Sequence, residues 1–213
     1  MFKYPKIETL FKRDIEGTKK LIMGDWRDET VGYLSNNKWI FTEKIDGTNI
    51  RIFWNGHKVE YFGRTEKSQL PVELEKKLNE LFCGDINEQI FEQVFGETNV
   101  MLFGEGFGRR IQNGGNYIPD GVDFALFDVY IPESNVWLRR SSVEDIAKAF
   151  NIRVAPVVGD GTLYDAIDYI KTKPDSTIGT AKMEGVVCRP EFEVFDRLGH
   201  RVIVKVKVRD FCE

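Results

Sequence analysis

The sequence predicts an α+β fold, and three observations carry this prediction. Short segments rich in β-branched and aromatic residues recur along the chain, as is typical of strands. Segments with apolar residues at helical spacing lie between them. The 213 residues include 16 Phe, 7 Tyr and 4 Trp, which is far more aromatic mass than a disordered chain carries and enough to form a core. Helices interspersed among short strands favour antiparallel sheets.

Seven segments are predicted as strands, because β-branched or aromatic residues dominate most of them and Gly, Asn or Asp stands at or near an end. They are Trp39–Glu43, Asn49–Trp54, Val59–Phe62, Val100–Gly104, Phe124–Tyr130, Gly185–Arg189 and Arg201–Val208. Asn55 and Gly56 both tolerate positive φ, so they predict a two-residue hairpin between the second and third strands.

Four segments are predicted as helices from the spacing of their apolar residues. They are Pro71–Phe82, Asn87–Phe95, Ser142–Phe150 and Tyr164–Lys171. Pro71 suits a first helical turn, and Ser142 is the predicted N-cap of the third helix. No internal repeat or Pro/Ser-rich linker marks a boundary, so we expect one domain over residues 1–213.

The composition excludes several classes of protein. A net charge of −4 argues against coating nucleic acid by bulk charge, although it says nothing about a local basic groove. The two histidines lie far apart, which argues against a histidine metal site or a Ser-His-Asp triad. Three cysteines without metal-ligand spacing predict a reducing, cytoplasmic location. The chain shows no signal peptide and no apolar run of membrane-spanning length, so we expect no membrane partner.

The segment from Phe41 to Gly56 points most directly to chemistry. It places Lys44 at the end of a strand, before a tight turn at Asp46 and Gly47 where a ligand can approach the backbone. A lysine held in this way acts as a nucleophile when burial or nearby cations lower its pKa. The same residues also fit a solvated lysine beside a hairpin turn. The segments that follow in the sequence distinguish between these two interpretations.

Further candidate residues follow in order, each at a strand or its end. Each has a simpler interpretation as a core aromatic, a flexible loop, a surface carboxylate or the polar face of a strand. Lys205 and Lys207 alternate with valines, so both project from one face of their strand. The set comprises Arg64, Glu105 among three glycines, Phe127, Glu184, Lys205 and Lys207.

Taken together, these segments resemble the serial motifs of the covalent nucleotidyltransferases, the polynucleotide ligases and mRNA capping enzymes. The resemblance is closest to the RNA ligase 2 family and runs from about residue 36 to residue 211. It implies an α+β nucleotidyltransferase domain, similar to the ATP-grasp ligases, with antiparallel sheets and flanking helices around a nucleotide cleft. The motifs are Glu43-Lys44-Ile45-x-Gly47-Thr48-Asn49, Phe103-Gly104-Glu105, Phe127-Asp128, Glu184-Gly185 and Lys205-Val206-Lys207.

The resemblance implies an ATP-dependent RNA ligase. Lys44 attacks the α-phosphorus of ATP, expels pyrophosphate and keeps AMP as a phosphoramidate. The AMP then passes to a 5′-phosphate end, and a 3′-hydroxyl displaces it to seal the strand. Lys205 and Lys207, if they lie nearby, favour the neutral amine of Lys44 and stabilise the charge on the phosphate.

The resemblance also implies how the nucleotide is held. Glu105 accepts a hydrogen bond from the ribose, and Phe127 stacks on the adenine. The backbone around Glu43 and Ile45 selects the base, while Gly47 allows the nucleotide to approach closely.

The remaining implied roles concern the metal and the nucleic acid. Glu184 helps to hold Mg²⁺, a cation that prefers oxygen ligands and phosphate. Arg64 contacts the ribose or the strand end, and Asn49 is assigned to the strand end as well. The expected partners are RNA ends or a nicked duplex.

Two departures from the family pattern keep alternatives open. Asp46 stands where RNA ligase 2 relatives carry His, and Asp is more usual there in DNA ligases and capping enzymes, so a minimal DNA ligase or a GTP-using capping guanylyltransferase is an alternative. The chain ends at Glu213 without a C-terminal OB or helical domain, so we expect a helper protein to supply the clamp on nucleic acid. A non-catalytic module that binds nucleotides or strand ends is the third alternative.

Overall fold

The computed structural model describes residues 2–112 and 116–212. Contacts divide the chain into two compact units. The first comprises Met1–Tyr4 and Asp46–Ala155, and the second comprises Pro5–Ile45 and Pro156–Glu213. The predicted α+β class with mainly antiparallel sheets is confirmed. The assignment of residues 1–213 to one adenylyltransferase domain stays a prediction.

The secondary structure consists of short strands and six helices within the described residues. The strands are β1 (Glu8–Thr9), β2 (Phe11–Arg13), β3 (Leu21–Trp26), β4 (Trp39–Glu43), β5 (Thr48–Trp54), β6 (Val59–Phe62), β7 (Val100–Gly108), β8 (Val122–Ile131), β9 (Val136–Trp137), β10 (Arg153–Val154), β11 (Val157–Gly161), β12 (Gly185–Pro190) and β13 (Val204–Lys207). The helices are α1 (Glu29–Tyr33), α2 (Val72–Phe82), α3 (Asp85–Phe95), α4 (Arg140–Ala149), α5 (Leu163–Lys171) and α6 (Val208–Phe211). None of the helices described is long and apolar enough to cross a membrane.

The first unit is a sheet with helices on one face. Its strands run in the order β10-β8-β7-β5-β6, with β9 beside β8, and only β10 pairs in parallel. Helices α2, α3 and α4 bury their apolar sides against this sheet through residues such as Leu74, Phe91 and Val143. The opposing side chains, among them Ile50 and Phe124, come from alternate strand positions, as one face of a pleated sheet requires.

The opposite face of this sheet carries an aromatic cluster. Phe103 and Tyr130 are buried there, and Phe2 stacks on Tyr130 with ring centroids 4.5 Å apart. The fully buried Arg51 donates from Nε to the Gly63 carbonyl at 2.9 Å and from a terminal nitrogen to the Phe2 carbonyl at 3.1 Å. The N-terminal residues are therefore fixed to the sheet by both ring contacts and hydrogen bonds.

The second unit is built on the strand order β1-β13-β12-β4-β11, and β1 alone pairs in parallel. Helix α5 begins with a capping box between Thr162 and Asp165, and it packs Leu163 and Ile170 against the buried face of the sheet. The hairpin of β2 and β3 contributes Phe11 to the same core.

All seven predicted strands are present, but five have different limits. Strands β5, β8 and β12 are one to three residues longer than predicted. The strand predicted to end at Gly104 continues to Gly108, and the one predicted over 201–208 spans only Val204–Lys207. Val208 begins helix α6 instead, because the chain leaves the sheet at Lys207. The short strands β1, β2, β3, β9, β10 and β11 were not predicted, since two to six residues give little periodicity.

The hairpin predicted at Asn55 and Gly56 forms with a longer loop. Trp54 pairs with Val59, so the loop has four residues rather than two. The Asn55 side chain accepts hydrogen bonds from the backbone amides of His57 and Lys58 at 3.0 and 2.8 Å, which closes the wider turn.

The predicted helices are present, but the cap assigned to Ser142 is wrong. Helix α4 begins at Arg140, two residues earlier, and its N-cap is Arg139, which makes no side-chain capping bond. The Arg140 guanidinium donates to Glu144 at 2.8 Å and to the Ala155 carbonyl at 2.7 Å, so contacts within the fold fix this helix start.

The glycines around Glu105 serve packing and not loop flexibility. A Cβ on Gly104 would lie 2.1 Å from the Phe124 ring and 2.6 Å from the Ala125 carbonyl oxygen. Strand β7 can therefore lie this close to Phe124 and Ala125 only because Gly104 has no side chain on that face.

We expect Gly104→Ala to lower the free energy of unfolding by about 2–3 kcal/mol, because backbone as well as a buried ring would have to move. Gly159→Ala is the matched strand control, since its Cβ would meet only the Phe41 ring at an ordinary 3.4 Å. Urea unfolding of both variants checks the difference. Equal stability of the two variants would contradict the packing role of Gly104.

Candidate functional site

Lys44 is fixed at the point where β4 ends. Its backbone amide donates to the Gly185 carbonyl at 2.9 Å, which continues the pairing of β4 with β12 by one residue. Its ammonium group donates to Glu184 Oε2 at 2.7 Å. The predicted position at a strand end is confirmed, and the side chain is held by a carboxylate 140 residues away in sequence.

Glu184 joins this lysine to a second one. Lys207 Nζ donates to Glu184 Oε1 at 2.5 Å, and the backbone amide of Val208 donates to the Glu184 carbonyl at 2.9 Å. Burial opposes ionisation of Glu184, but the two lysines outweigh it and hold the pKa of this carboxyl below its ordinary value. Each carboxylate oxygen therefore binds one ammonium group.

Lys205 lies on the same face of β13 as Lys207, while Val204 and Val206 are fully buried on the other face. This confirms the alternation predicted from the sequence. Burial lowers the pKa of Lys205, and the nearby charges of Lys207 and Lys44 lower it further, against an opposing effect of Glu8. No described carboxylate lies within ion-pair distance of the Lys205 amine.

Glu43 is buried, and its carboxylate has partners of its own. It accepts hydrogen bonds from the Ser176 hydroxyl at 2.5 Å and from the hydroxyl and backbone amide of Thr177 at 2.6 and 2.9 Å. Ile45, on the other side of Lys44, is also buried. The side chains next to Lys44 therefore anchor the strand end, and the Glu43 backbone amide adds a hydrogen bond to the Pro156 carbonyl at 2.8 Å.

Gly47, Asn49 and Glu105 are close together in the first unit. Asn49 pairs directly with Glu105 across β5 and β7. A Cβ on Gly47 would lie 2.3 Å from the Gly106 carbonyl oxygen and 3.0 Å from Glu105 Cγ. Only glycine allows the chain to pass this close to β7. The amide of Asp46 donates to the Tyr117 hydroxyl at 3.3 Å.

Alternate residues of a strand share a face, so Asn49 lies on the face of Phe53 in β5, and Glu105 lies on the face of Phe103 in β7. Phe53 and Phe103 belong to the same aromatic cluster as Phe127. Phe127 therefore lies on the same face of the sheet as Asn49 and Glu105. The register of β7 and β8 shifts at this point. The half-buried Phe127 ring meets the Tyr4 ring edge-on at 5.0 Å.

Several of these contacts carry no sequence signal. Tyr4 donates to Asp128 at 2.8 Å and lies against Phe127, although more than 120 residues separate them. Ser176 and Thr177, the partners of Glu43, also belong to no motif. Arg64 is exposed just after β6.

The described residues contain no group of three or more His, Cys, Asp or Glu side chains that could hold a metal ion. Glu184 is the carboxylate beside Lys44, and both its oxygens already bond to lysines. This donor set suits a hard cation completed by substrate phosphates rather than one enclosed by protein ligands, which is the usual manner of Mg²⁺.

Comparison with known proteins identifies related sequences and folds. A family model described as RNA ligase matches residues 37–207, which is most of the chain. A structure of a Naegleria gruberi RNA ligase with pyrophosphate aligns with a TM-score of 0.62 and 20% identity over 96% of this chain and 61% of that one. A variant of a Naegleria gruberi RNA ligase with ATP and manganese aligns with a TM-score of 0.66 and 18% identity over 97% and 56%.

An apo variant of a Naegleria gruberi RNA ligase aligns with a TM-score of 0.64 and 18% identity, covering 84% of this chain and 51% of that one. The chain thus spans about half to three-fifths of the length of these structures. At such identities the likeness shows a shared fold. A search of the curated proteins found no match.

The lowered pKa of Lys205 predicts a pH dependence of stability. Between the pKa of Lys205 in the folded protein and the 10.5 of an unperturbed lysine, Lys205 takes up a proton when the protein unfolds. The free energy of unfolding therefore increases as the pH rises through this range. We expect the wild type to become more stable relative to Lys205→Gln as the pH is raised from neutral to about 10. Chemical denaturation over this range measures the difference.

Lys148→Gln is the matched control, because Lys148 lies exposed on helix α4. The difference between the wild type and Lys205→Gln should increase with pH more steeply than the difference for this control. Equal slopes for the two variants would show that Lys205 is not desolvated as the fold indicates.

Proposed function

This chain belongs to the RNA ligase family, and from that premise we propose that it is an ATP-dependent RNA ligase that forms a lysyl-AMP intermediate at Lys44. The observation that supports this most strongly is the ion-paired cluster of Lys44, Glu184 and Lys207, with Lys205 beside it. One carboxylate and three lysines leave an excess of positive charge, which suits a polyphosphate substrate.

In the first step, Lys44 Nζ loses a proton to solvent, and its lone pair forms a bond to the α-phosphorus of ATP. The bond from that phosphorus to the bridging oxygen breaks, and its electron pair leaves with the pyrophosphate. Glu184 orients the Lys44 side chain through its 2.7 Å hydrogen bond. Lys205 and Lys207 provide positive charge from β13 for the phosphate oxygens, whose charge is greatest in the transition state.

For the nucleoside, we assign Glu105 as the acceptor of a ribose hydroxyl and Phe127 as the ring that stacks on adenine. Support comes from their common face on the first unit's sheet and from the half-exposed Phe127 ring. Backbone groups at Glu43 and Ile45 select the base, since both side chains are buried. Gly47 keeps the backbone open to the nucleotide.

Mg²⁺ is assigned to Glu184 together with the phosphates of ATP. When bound, the cation supplies charge neutralisation for the leaving pyrophosphate. Within the protein, Glu184 is the residue that would exchange a lysine contact for a metal contact.

The later steps transfer AMP to a 5′-phosphate end and seal it to a 3′-hydroxyl. We assign Arg64 and Asn49 to the strand end, which is supported by the exposure of Arg64 and by the position of Asn49 beside Glu105. RNA ends or a nicked duplex are the proposed substrates.

Asp46 favours a second candidate, a minimal DNA ligase or a capping guanylyltransferase. Sealing of an all-DNA nick against an RNA-containing nick separates a DNA ligase from an RNA ligase. Transfer of GMP in place of AMP would identify a guanylyltransferase.

We expect the wild type, first freed of bound AMP with pyrophosphate, to gain the mass of one AMP after incubation with ATP and Mg²⁺. Lys44→Ala and Lys44→Arg should gain none, because an arginine keeps the cation beside Glu184 but is not a nucleophile. Intact-protein mass spectrometry with peptide mapping measures the product, and GTP is run in parallel.

Lys38→Ala is the matched control, because Lys38 precedes β4 and forms ion pairs only on the surface with Asp160 and Glu191. It should label like the wild type. Persisting AMP on Lys44→Ala would rule out Lys44 as the nucleophile. A wild type that gains neither nucleotide would favour the non-catalytic binding module.

Glu105→Ala should remove the protein's preference for ATP over its deoxyribose analogues. The wild type is expected to prefer ATP over 2′-deoxyATP or 3′-deoxyATP by about tenfold or more in kcat/KM for self-adenylylation, because a hydrogen bond to a carboxylate is lost. The variant should use the deoxy analogue and ATP equally. Glu60→Ala, at an exposed position of the same sheet, should keep the preference; its loss there too would contradict the assignment.

A further inference from the structure

A groove in the second unit is lined mainly by basic side chains, which make up eight of its twelve lining residues. It has a volume of about 730 Å³ and lies between the β2–β3 hairpin and strand β13. These eight lysines and arginines line it together with a single carboxylate, Glu8. The family match begins at residue 37, so the hairpin wall of this groove lies outside the matched segment.

The positive charge results from the fold and not from the composition of the hairpin region. Residues 5–33 contain six basic and six acidic side chains and are neutral overall. Five of the six basic side chains line the groove, whereas only one of the six acidic ones does. Asp14, for example, turns back to accept the amides of Gly17 and Thr18 at 2.9 and 2.8 Å.

Part of this charge has no counter-ion. Five of the eight cations have ion-pair partners: Lys6 and Arg27 pair with Glu8, Lys12 with Asp25, Arg13 with Asp210 and Lys207 with Glu184. Across the described part of the chain, no carboxylate forms an ion pair with Lys19, Lys205 or Arg209. The groove therefore retains a net positive charge that a bound anion would neutralise.

The groove is continuous with the lysine cluster. Lys205 and Lys207 belong to both, and Lys207 shares the Glu184 carboxylate with Lys44. Strand β1 fixes the groove wall to the cluster, because Thr9 pairs with Lys205. A strand whose 5′-phosphate reaches Lys44-linked AMP would thus find further cations next to it.

We propose that this basic groove binds the phosphate backbone of the RNA strand that carries the 5′-phosphate end. The inference rests on the proposed function and adds to it a surface for the substrate. Cations spread over a hairpin, a strand and helix α6 exceed what the two phosphates of a departing pyrophosphate need. A charged groove that follows the backbone is the usual means of holding a single strand.

The test compares two double variants with the same change in charge. Lys19→Gln with Arg209→Gln removes two unpaired groove cations, and Lys20→Gln with Arg197→Gln removes an exposed lysine and arginine outside the groove. Binding of a 5′-phosphorylated 12-nucleotide single-stranded RNA is measured by fluorescence anisotropy without ATP, over a range of salt concentrations. Self-adenylylation with ATP is measured separately for each protein.

The groove variant should bind the RNA at least about tenfold more weakly. Its salt dependence, the slope of log K against log salt, should be shallower by about 1.4, since each contact to a single strand contributes about 0.7. The control variant should bind like the wild type, and both variants should self-adenylylate normally.

Three results would overturn the proposal: equal weakening in both variants, unchanged RNA binding by the groove variant, or no RNA binding by the wild type. A raised KM for ATP with unchanged RNA binding would assign the groove to the polyphosphate instead. A wild type that binds RNA through the groove but never self-adenylylates would overturn the proposed ligase and leave the groove assignment standing.

Discussion

The carboxylate of Glu184 is the interaction on which the lysine cluster depends. Its two oxygens bind Lys44 and Lys207, which come from the ends of two strands that flank β12. The backbone repeats the same connection, because the amides of Lys44 and Val208 donate to the carbonyls of Gly185 and Glu184. Without this carboxylate, the lysines from the two strands on either side of β12 would repel each other in a partly buried place.

This arrangement concentrates positive charge on one side of the second unit, although its 17 basic and 17 acidic residues balance in number. Lys205 lies half-buried without an ion pair among the described residues, and burial lowers its pKa. The hairpin adds Lys19 and Arg27 on the same side of the unit. A protein of net charge −4 can therefore present a concentrated basic surface, because its acidic residues are placed elsewhere.

The sequence predicted the parts of the site that follow from local pattern. Alternation placed Lys205 and Lys207 on one face. The approach of a ligand to the backbone at Gly47 stays a prediction, and the structure shows this glycine close to the Gly106 carbonyl of β7. The limit predicted for β7 was wrong because packing overruled local preference. The strand continues past Gly104 through Glu105 to Gly108, since the absence of a side chain on Gly104 leaves room for the Phe124 ring.

The sequence by itself determined the α+β class, the order of the motifs and the set of candidate residues, since strand periodicity and residue type are local properties. Tertiary structure alone decided which of these residues meet. Pairing of β4, β12 and β13 brings Lys44 to Glu184 across 140 residues, and Tyr4 reaches Asp128 from the chain start. The basic groove could not be predicted from the sequence either. Residues 5–33 are neutral overall, and only the folded backbone places most of their basic side chains on one side.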